Sequence, residues 1–317
     1  MTRPAIRLAG VNKLFGSTHA VRDLDLEVPM GSLCGFLGPN GAGKTTTIRM
    51  VMSIIYADSG SIEVLGGNAL KSKDRIGYLP EERGLYRKMR VGEFLHYIAT
   101  LKGVDRRGLA SQIKTWLDRV ELPGVYSKKC EELSKGMQQK VQFLAAIIHD
   151  PELLIFDEPF SGLDPVNTEL LNRLIRELHG QGKTIIFSTH ILHQAELLCE
   201  RIFLINHGVK LLDATFQEIR ERYDPRTIVA EPIDGEISSD GIEGLAAVRR
   251  MGDGPAQELE LSPDASPQAV MRQVIERYPV RSIELRQLSL DEVFVEIVQR
   301  DEGKDAAMEA RESLSHV

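Results

Sequence analysis

Gly38-Pro-Asn-Gly-Ala-Gly-Lys-Thr45 is the stretch on which the fold turns. It satisfies G-x-x-x-x-G-K-[ST], a pattern that a random chain of this length matches only about one time in a hundred, so a chance glycine-rich turn explains it poorly. Its flanks agree. Ser32–Leu37 (SLCGFL) is a short apolar run that predicts a buried strand, and Thr45–Ile55 predicts a helix. Strand, glycine loop and helix together make a phosphate cradle. Glycine tolerates φ > 0, so the loop of Gly38, Pro39, Asn40, Gly41, Ala42 and Gly43 can wrap its N–H groups around phosphate oxygens, with the positive end of the helix aimed at the same place. Lys44 is expected to reach the β- and γ-phosphates, Thr45 to ligate Mg²⁺ through its hydroxyl, and Thr46 to lie near the α-phosphate. The motif alone does not separate a kinase, a GTPase and an ATPase.

A second element narrows the chemistry. Pro151–Pro159 reads PELLIFDEP, four apolar residues leading into two acids. A buried strand delivering carboxylates at its C-terminal edge fits this pattern, and in open α/β sheets ligands bind at that edge. Asp157 suits organisation of Mg²⁺, and Glu158, projecting differently, suits a general base that polarises a water. A surface turn after a strand also collects acids, but pairing with the glycine loop argues against it. Lys183–Ser188 (KTIIFS) predicts another buried strand, ending at Ser188-Thr189-His190. An imidazole there would sit beside the γ-phosphate and position Glu158. His190 and His193 lie at helical spacing, yet no nearby Cys or acid cluster completes a metal site.

Composition bounds the remaining classes. Of 317 residues, 42% are apolar, 27% charged and 6% aromatic, with Trp116 the single tryptophan. Those are the proportions of an ordinary globular chain of about two domains. The apolar runs Val141–Ile148 and Leu153–Phe156 fall far short of the roughly 20 residues that cross a bilayer. Met1–Gly10 has no apolar core of signal-peptide type and Ser315–Val317 carries no lipidation box. An integral membrane protein, a secreted disulfide scaffold and a disordered protein are excluded on this reading. Net charge is 39 − 46 = −7, and its distribution is uneven: residues 226–317 carry 10 basic and 19 acidic side chains, leaving 29 and 27 for residues 1–225. That step predicts a domain boundary near Asp224–Pro225. Neither part has the clustered positive charge that binds a phosphate backbone, so no nucleic-acid partner is expected. Cys34, Cys130 and Cys199 are far apart and read as free thiols.

Leu133-Ser-Lys-Gly-Met-Gln-Gln-Lys140 lies 23 residues before Asp157. Here the chain resembles the ATP-binding cassette (ABC) family of transport ATPases, whose signature is LSGGQ. Leu133, Ser134 and Gly136 match it, while Lys135 and Met137 depart from it. The resemblance spans about residues 5–220. It implies that Phe15 stacks on adenine with Val21 beside it, that Ser161-Gly162-Leu163-Asp164 is the D-loop, and that His190 is the switch histidine. The family's Q-loop glutamine is replaced by Glu81, in Gly77-Tyr-Leu-Pro-Glu-Glu-Arg-Gly84. A carboxylate can still ligate Mg²⁺ there, joining Thr45 and Asp157, but it adds negative charge near the γ-phosphate; the other reading leaves Glu81 solvated and gives the work to Glu82 or a water.

The implied fold is α/β: a P-loop NTPase ABC cassette with a RecA-like core, an antiparallel β subdomain and a helical subdomain inserted at about 91–142, over residues 1–225. The implied activity is hydrolysis of ATP with Mg²⁺. Glu158, His190 and Lys44 carry the catalysis, and Ser134 and Gly136 of one cassette touch the ATP of a second, most simply in a homodimer. A separate transmembrane permease would carry the solute, by the exporter resemblance outward, and would meet the loop around Arg83, Leu85, Tyr86 and Met89. That places the chain in the cytoplasm, peripheral at the inner face of the cell membrane. Missing heptads and a lone glycine loop weigh against coiled-coil and two-cassette members; the alternative is a soluble ABC-type regulatory or repair ATPase without a permease.

Residues 226–300 predict a small α+β domain. Thr227–Ala230, Glu258–Leu261 and Arg281–Arg286 read as strands, and Ser266–Tyr278 as a helix with Ser266 at its N-cap and Pro267 at N1. Ser289-Leu-Asp-Glu292 is a capping box opening a last helix to about Gln299. The stretch Leu290–Phe294 (LDEVF) resembles the C-terminal extension of ABC-2-type exporter ATPases of sodium and drug type, which implies dimer support or regulation, with passive stabilisation as the plainer role. Residues 301–317, charged and rich in small side chains, read as a flexible tail.

Overall fold

The computed structural model of the chain describes residues 3–302 apart from residues 83, 225 and 253. Arg83, expected in a partner loop, and the tail from residue 303 onward lie outside the described residues. The chain divides into two compact units, Met1–Thr215 with Ile297–Val317, and Phe216–Glu296.

In the first unit β1 (Ile6–Phe15) and β2 (Thr18–Val28) pair antiparallel. β3 (Leu33–Leu37) runs through the glycine loop into α1 (Lys44–Val51), and β4 (Ser59–Val64) returns beside β1. These give a three-stranded sheet ordered β2-β1-β4. Along β1, Ile6 and Leu8 are buried while Arg7 and Ala9 face solvent, the alternation of a sheet covered on one face. Helix α1 ends earlier than the Ile55 expected from sequence, because Ser53 takes a left-handed φ of 55° that a helix cannot propagate.

β5 (Ile76–Leu79) leads to the helical insertion, α2 (Val91–Leu101), α3 (Leu109–Arg119) and α4 (Lys135–Ile147). The chain then alternates through β6 (Leu153–Asp157), α5 (Pro165–Gly180), β7 (Thr184–Thr189), α6 (Leu192–Leu198), β8 (Arg201–Asn206) and β9 (Val209–Thr215). One six-stranded sheet results, ordered β5-β6-β7-β3-β8-β9 and parallel except for the β8–β9 hairpin. Every residue of β3, β6 and β7 is buried, which is why they read as unbroken apolar runs. Register matters most for the site. Leu37 lies opposite Thr189, and Asp157 opposite Ser188, so three strands end level at one edge.

The second unit contains α7 (Phe216–Arg222), β10 (Thr227–Pro232), β11 (Leu245–Arg250), β12 (Gln257–Leu261), α8 (Pro267–Arg277) and β13 (Val280–Leu285), with α9 (Leu290–Glu302) beginning in it. Its sheet is antiparallel, ordered β11-β12-β10-β13, over a core that includes Ile228, Leu259, Val270 and Val274. The unit starts at Phe216, ahead of the charge step, and Ile219 of α7 is buried. A fourth strand, β11, was not expected; it is an edge strand with an irregular register and mostly accessible side chains, so it lacks a clean alternation. Ser266 occupies the N-cap of α8 with Pro267 following it, as the sequence predicts, and its hydroxyl bonds the Gln268 side chain. The Ser289/Glu292 box does form, with both reciprocal bonds present at 3.0 and 3.3 Å.

Candidate functional site

The glycine loop follows β3, Glu158 follows β6 and His190 follows β7, so all three reach the same carboxyl edge of the parallel sheet. Two glycines of the loop are compulsory. Gly38 has φ 149° and a Cβ there would stand 2.2 Å from the Ile205 carbonyl oxygen; at Gly43, with φ 105°, it would stand 2.5 Å from that of Ala20. Lys44 lies folded over its own loop, donating from Nζ to the carbonyls of Gly38 at 2.7 Å and Pro39 at 3.1 Å. It is buried, and desolvation lowers its pKa against the opposing pull of Glu158, Asp157 and Glu81. Ala42 is buried, whereas Asn40 and Gly41 are exposed and Thr46 half-buried at the rim.

Asp157 is fully buried. Its Oδ1 accepts from the Ser188 hydroxyl and lies 3.2 Å from Thr45 Oγ1. Its Oδ2 is buried with no hydrogen-bond partner among the described residues. Burial raises the pKa of this carboxyl, partly offset by the Ser188 and Thr45 bonds, while Glu81 and Glu158 push the same way as burial. Thr45 Oγ1 is also 3.4 Å from Glu81 Oε2, whereas Glu82 turns to Arg49 at 3.5 Å. An orphaned carboxylate oxygen, a hydroxyl and a second carboxylate form a hard-oxygen donor set, which suits Mg²⁺ completed by phosphates and water.

Glu158 is almost fully buried yet holds φ 50°, a left-handed conformation unusual for a residue with a long side chain. Its N–H donates to the carbonyl and hydroxyl oxygens of Ser188, each at 3.2 Å. His190 Nδ1 is 2.9 Å from Glu158 Oε1, and Lys44 Nζ is 3.8 Å from it. Between an ionised carboxylate, which only accepts, and an imidazole nitrogen, the nitrogen is the donor. His193 instead meets Glu196 at 3.2 Å. Ser188 escaped the sequence reading, although it buttresses both acids. Its only signal was a hydroxyl closing the apolar run of β7.

Other expected positions are dispersed. Phe15 is 50% exposed, with the Lys13 ammonium 5.3 Å from its ring centroid. Val21 is wholly buried behind the loop beside Gly43. Ser134 caps α4, its hydroxyl accepting from the Met137 N–H at 3.3 Å, and Asp164 caps α5 through the Asn167 N–H at 2.9 Å. Leu133 is buried; Ser134, Lys135, Ser161, Gly162 and Asp164 are exposed, and Gly136, Met137 and Leu163 are intermediate. Among the described residues no hydrogen bond or ion pair joins this group to the glycine loop.

Comparison with known proteins bears on the fold and the family. The ABC transporter family model matches residues 21–161, and that of the ATP-binding protein DrrA1-3-like C-terminal domain matches residues 215–298. An ABC transporter ATP-binding protein of Bacillus subtilis, YhaQ, is 39% identical over 289 residues, covering 91% of this chain and 96% of that one. The Nod factor export ATP-binding protein I of Rhizobium sp. (strain N33) is 33% identical over 314 residues, covering 96% of this chain and all of that one. A dimeric structure of a bacterial ABC transporter cassette superposes with a TM-score of 0.62 at 22% identity, over 66% of this chain and 98% of that one.

Proposed function

We propose, on the premise that this chain belongs to the ABC transporter family as an ATP-binding, ATP-hydrolysing subunit, that it powers export of a solute through a separate transmembrane permease, with ATP joining two copies of the cassette. One observation carries the catalytic part: a buried Glu158, held off the β6 strand end by strained backbone and bonded to His190. Glu158 takes a proton from the attacking water as its oxygen bonds the γ-phosphorus. The bond from that phosphorus to the β,γ-bridging oxygen breaks, and Lys44 with the loop N–H groups stabilises the charge left on ADP. A Mg²⁺ ion held by Thr45, Asp157 and Glu81 would neutralise charge on the phosphates. Phe15 offers its exposed face to adenine.

Gly136 supports the two-cassette arrangement. It lies in the first turn of α4, and among the described residues a Cβ there would meet only Leu163, at an ordinary 3.6 Å. Nothing among the described residues requires glycine there, so the demand is best met by close approach of another molecule, here the γ-phosphate of a partner cassette. Ser134 stands exposed at the same helix end. For the permease, Tyr86, Tyr97 and Leu101 leave 52%, 42% and 58% of their surface open on and before α2, an apolar face that suits docking at the inner side of the membrane. Among the described residues no helix is long and apolar enough to cross a membrane. Export is carried over from the resemblance to the Nod factor relative.

The test is Glu158→Gln. It should lower turnover by about 10²–10⁴-fold and accumulate an ATP-bound dimer, read by phosphate release and light scattering. Rapid phosphate release by that variant overturns the assignment.

A further inference from the structure

Gln139 is 2% exposed on the second turn of α4, and its Nε2 donates to the Pro159 carbonyl at 3.0 Å. Pro159 directly follows Glu158. The turn carrying Glu158 is therefore fixed at three points: the Glu158 N–H on Ser188, the Glu158 carbonyl accepting from the Ser161 N–H at 3.2 Å, and the Pro159 carbonyl on Gln139. Two of these anchors belong to the sheet edge and to the turn itself. The third belongs to a helix that begins at Ser134 and Gly136.

That helix and the segment before it form one piece. Gln138 Nε2 donates back to the carbonyls of Leu133 at 3.0 Å and Cys130 at 3.3 Å, while Ser134 caps the first turn. A helix transmits displacement along its axis with little internal give, and Gln139 stands only about 7 Å of helix rise from Ser134. A strained φ at Glu158 persists only while its surroundings hold it, so the base is sensitive to movement of any anchor.

We infer that Gln139 is a positioning residue that couples the phosphate-facing end of α4 to the general base of its own cassette, so that ATP bound by the partner cassette sets Glu158 for hydrolysis here. The inference rests on the two-cassette reading above. Gln139 touches no substrate; it acts through the Pro159 carbonyl. The coupling makes hydrolysis at the two sites cooperative, because each α4 senses one nucleotide and steers the base beside the other.

The experiment compares the full chain with Gln139→Leu and Gln139→Glu, recording steady-state phosphate release against MgATP, ATP affinity and thermal midpoint. In the unaltered protein the Hill coefficient exceeds 1. In folded Gln139→Leu, kcat falls about tenfold or more, ATP affinity stays within about twofold, and the Hill coefficient drops toward 1. Gln139→Glu keeps the shape but cannot donate when ionised; it shows the same loss at alkaline pH and regains kcat as pH falls, which the leucine variant does not. Unchanged kcat and Hill coefficient in either folded variant overturn the inference, as does a parallel loss of affinity and kcat. Absent turnover, or absent ATP-dependent dimer, in the unaltered protein overturns the two-cassette reading itself.

Discussion

The parallel sheet of the cassette and the antiparallel sheet of the C-terminal unit put similar residue types to different uses. In β3, β6 and β7 every side chain is buried, and the strands end level, handing Gly38, Asp157, Glu158 and His190 to one edge. In the C-terminal sheet the edge strands β11 and β13 leave most of their side chains accessible, and charges sit paired on the surface, as Arg249 with Glu260 and Arg281 with Glu231. Burial on both faces leaves polar groups only the strand ends. Those ends then hold desolvated, mutually dependent charges. A sheet with an open face disperses its charges in water, where each is nearly independent of the next. Chemistry concentrates in the first arrangement and tolerance to change in the second.

Glycine substitution gives the widest contrast. Gly38→Ala forces a Cβ to 2.2 Å from a backbone oxygen, and should cost about 3 kcal/mol or more together with nucleotide affinity. Gly235→Ala, at φ 70° with open space around it, should cost about 1 kcal/mol and leave ATP binding unchanged. Equal losses in urea unfolding would erase the distinction. Ser188→Ala comes next. It strips Asp157 of a buried donor and the Glu158 N–H of an acceptor, so stability should fall by about 1–3 kcal/mol and turnover by about tenfold or more, read by calorimetry and phosphate release.

Acid should separate the regions more gently. His149 lies in the cassette, where burial pushes its pKa down to about 4, its Nε2 lying 3.1 Å from the Ile76 carbonyl. Residues 226–302 contain no histidine. The unfolded chain binds this proton near pH 6.5 and the folded chain near 4, so unfolding between these values takes up a proton and stability declines as pH falls. The urea midpoint should drop across that window, and His149→Gln should flatten the slope. Smallest is Arg249→Ala, which breaks the exposed Arg249–Glu260 pair at 3.1 Å and should shift stability by less than about 1 kcal/mol without touching turnover. A larger shift would mean that the C-terminal surface is less forgiving than its exposure implies.

Much of the site was legible because its residues are locally constrained. The glycine loop, the Asp157-Glu158 pair and His190 each sit where an apolar run stops, and the run itself predicts the strand that delivers them. Whether Val21 faces a base or the core is not written in its strand position, and only packing decides it. Ser188 and Gln139 were missed for a related reason. Their partners lie 31 and 20 residues away, and a serine or glutamine in an apolar segment carries no mark of whether it is satisfied by water or by a distant carbonyl. β11 was missed because an edge strand, paired on one side and half-exposed, has too weak an alternation to register.

By itself the sequence determined the kind of chemistry, since phosphate binding demands particular residue types at fixed short spacings that no other constraint would assemble. It also determined which segments are buried strands, because apolar length and breaks are local properties. Only the tertiary structure decided that Asp157 has an unpaired oxygen, that Glu158 is held in a left-handed backbone, that Glu81 rather than Glu82 meets Thr45, and that α4 grips the turn beside the base. Those depend on register between strands and on which distant group fills each hydrogen bond, and register is set by the packing of the whole sheet.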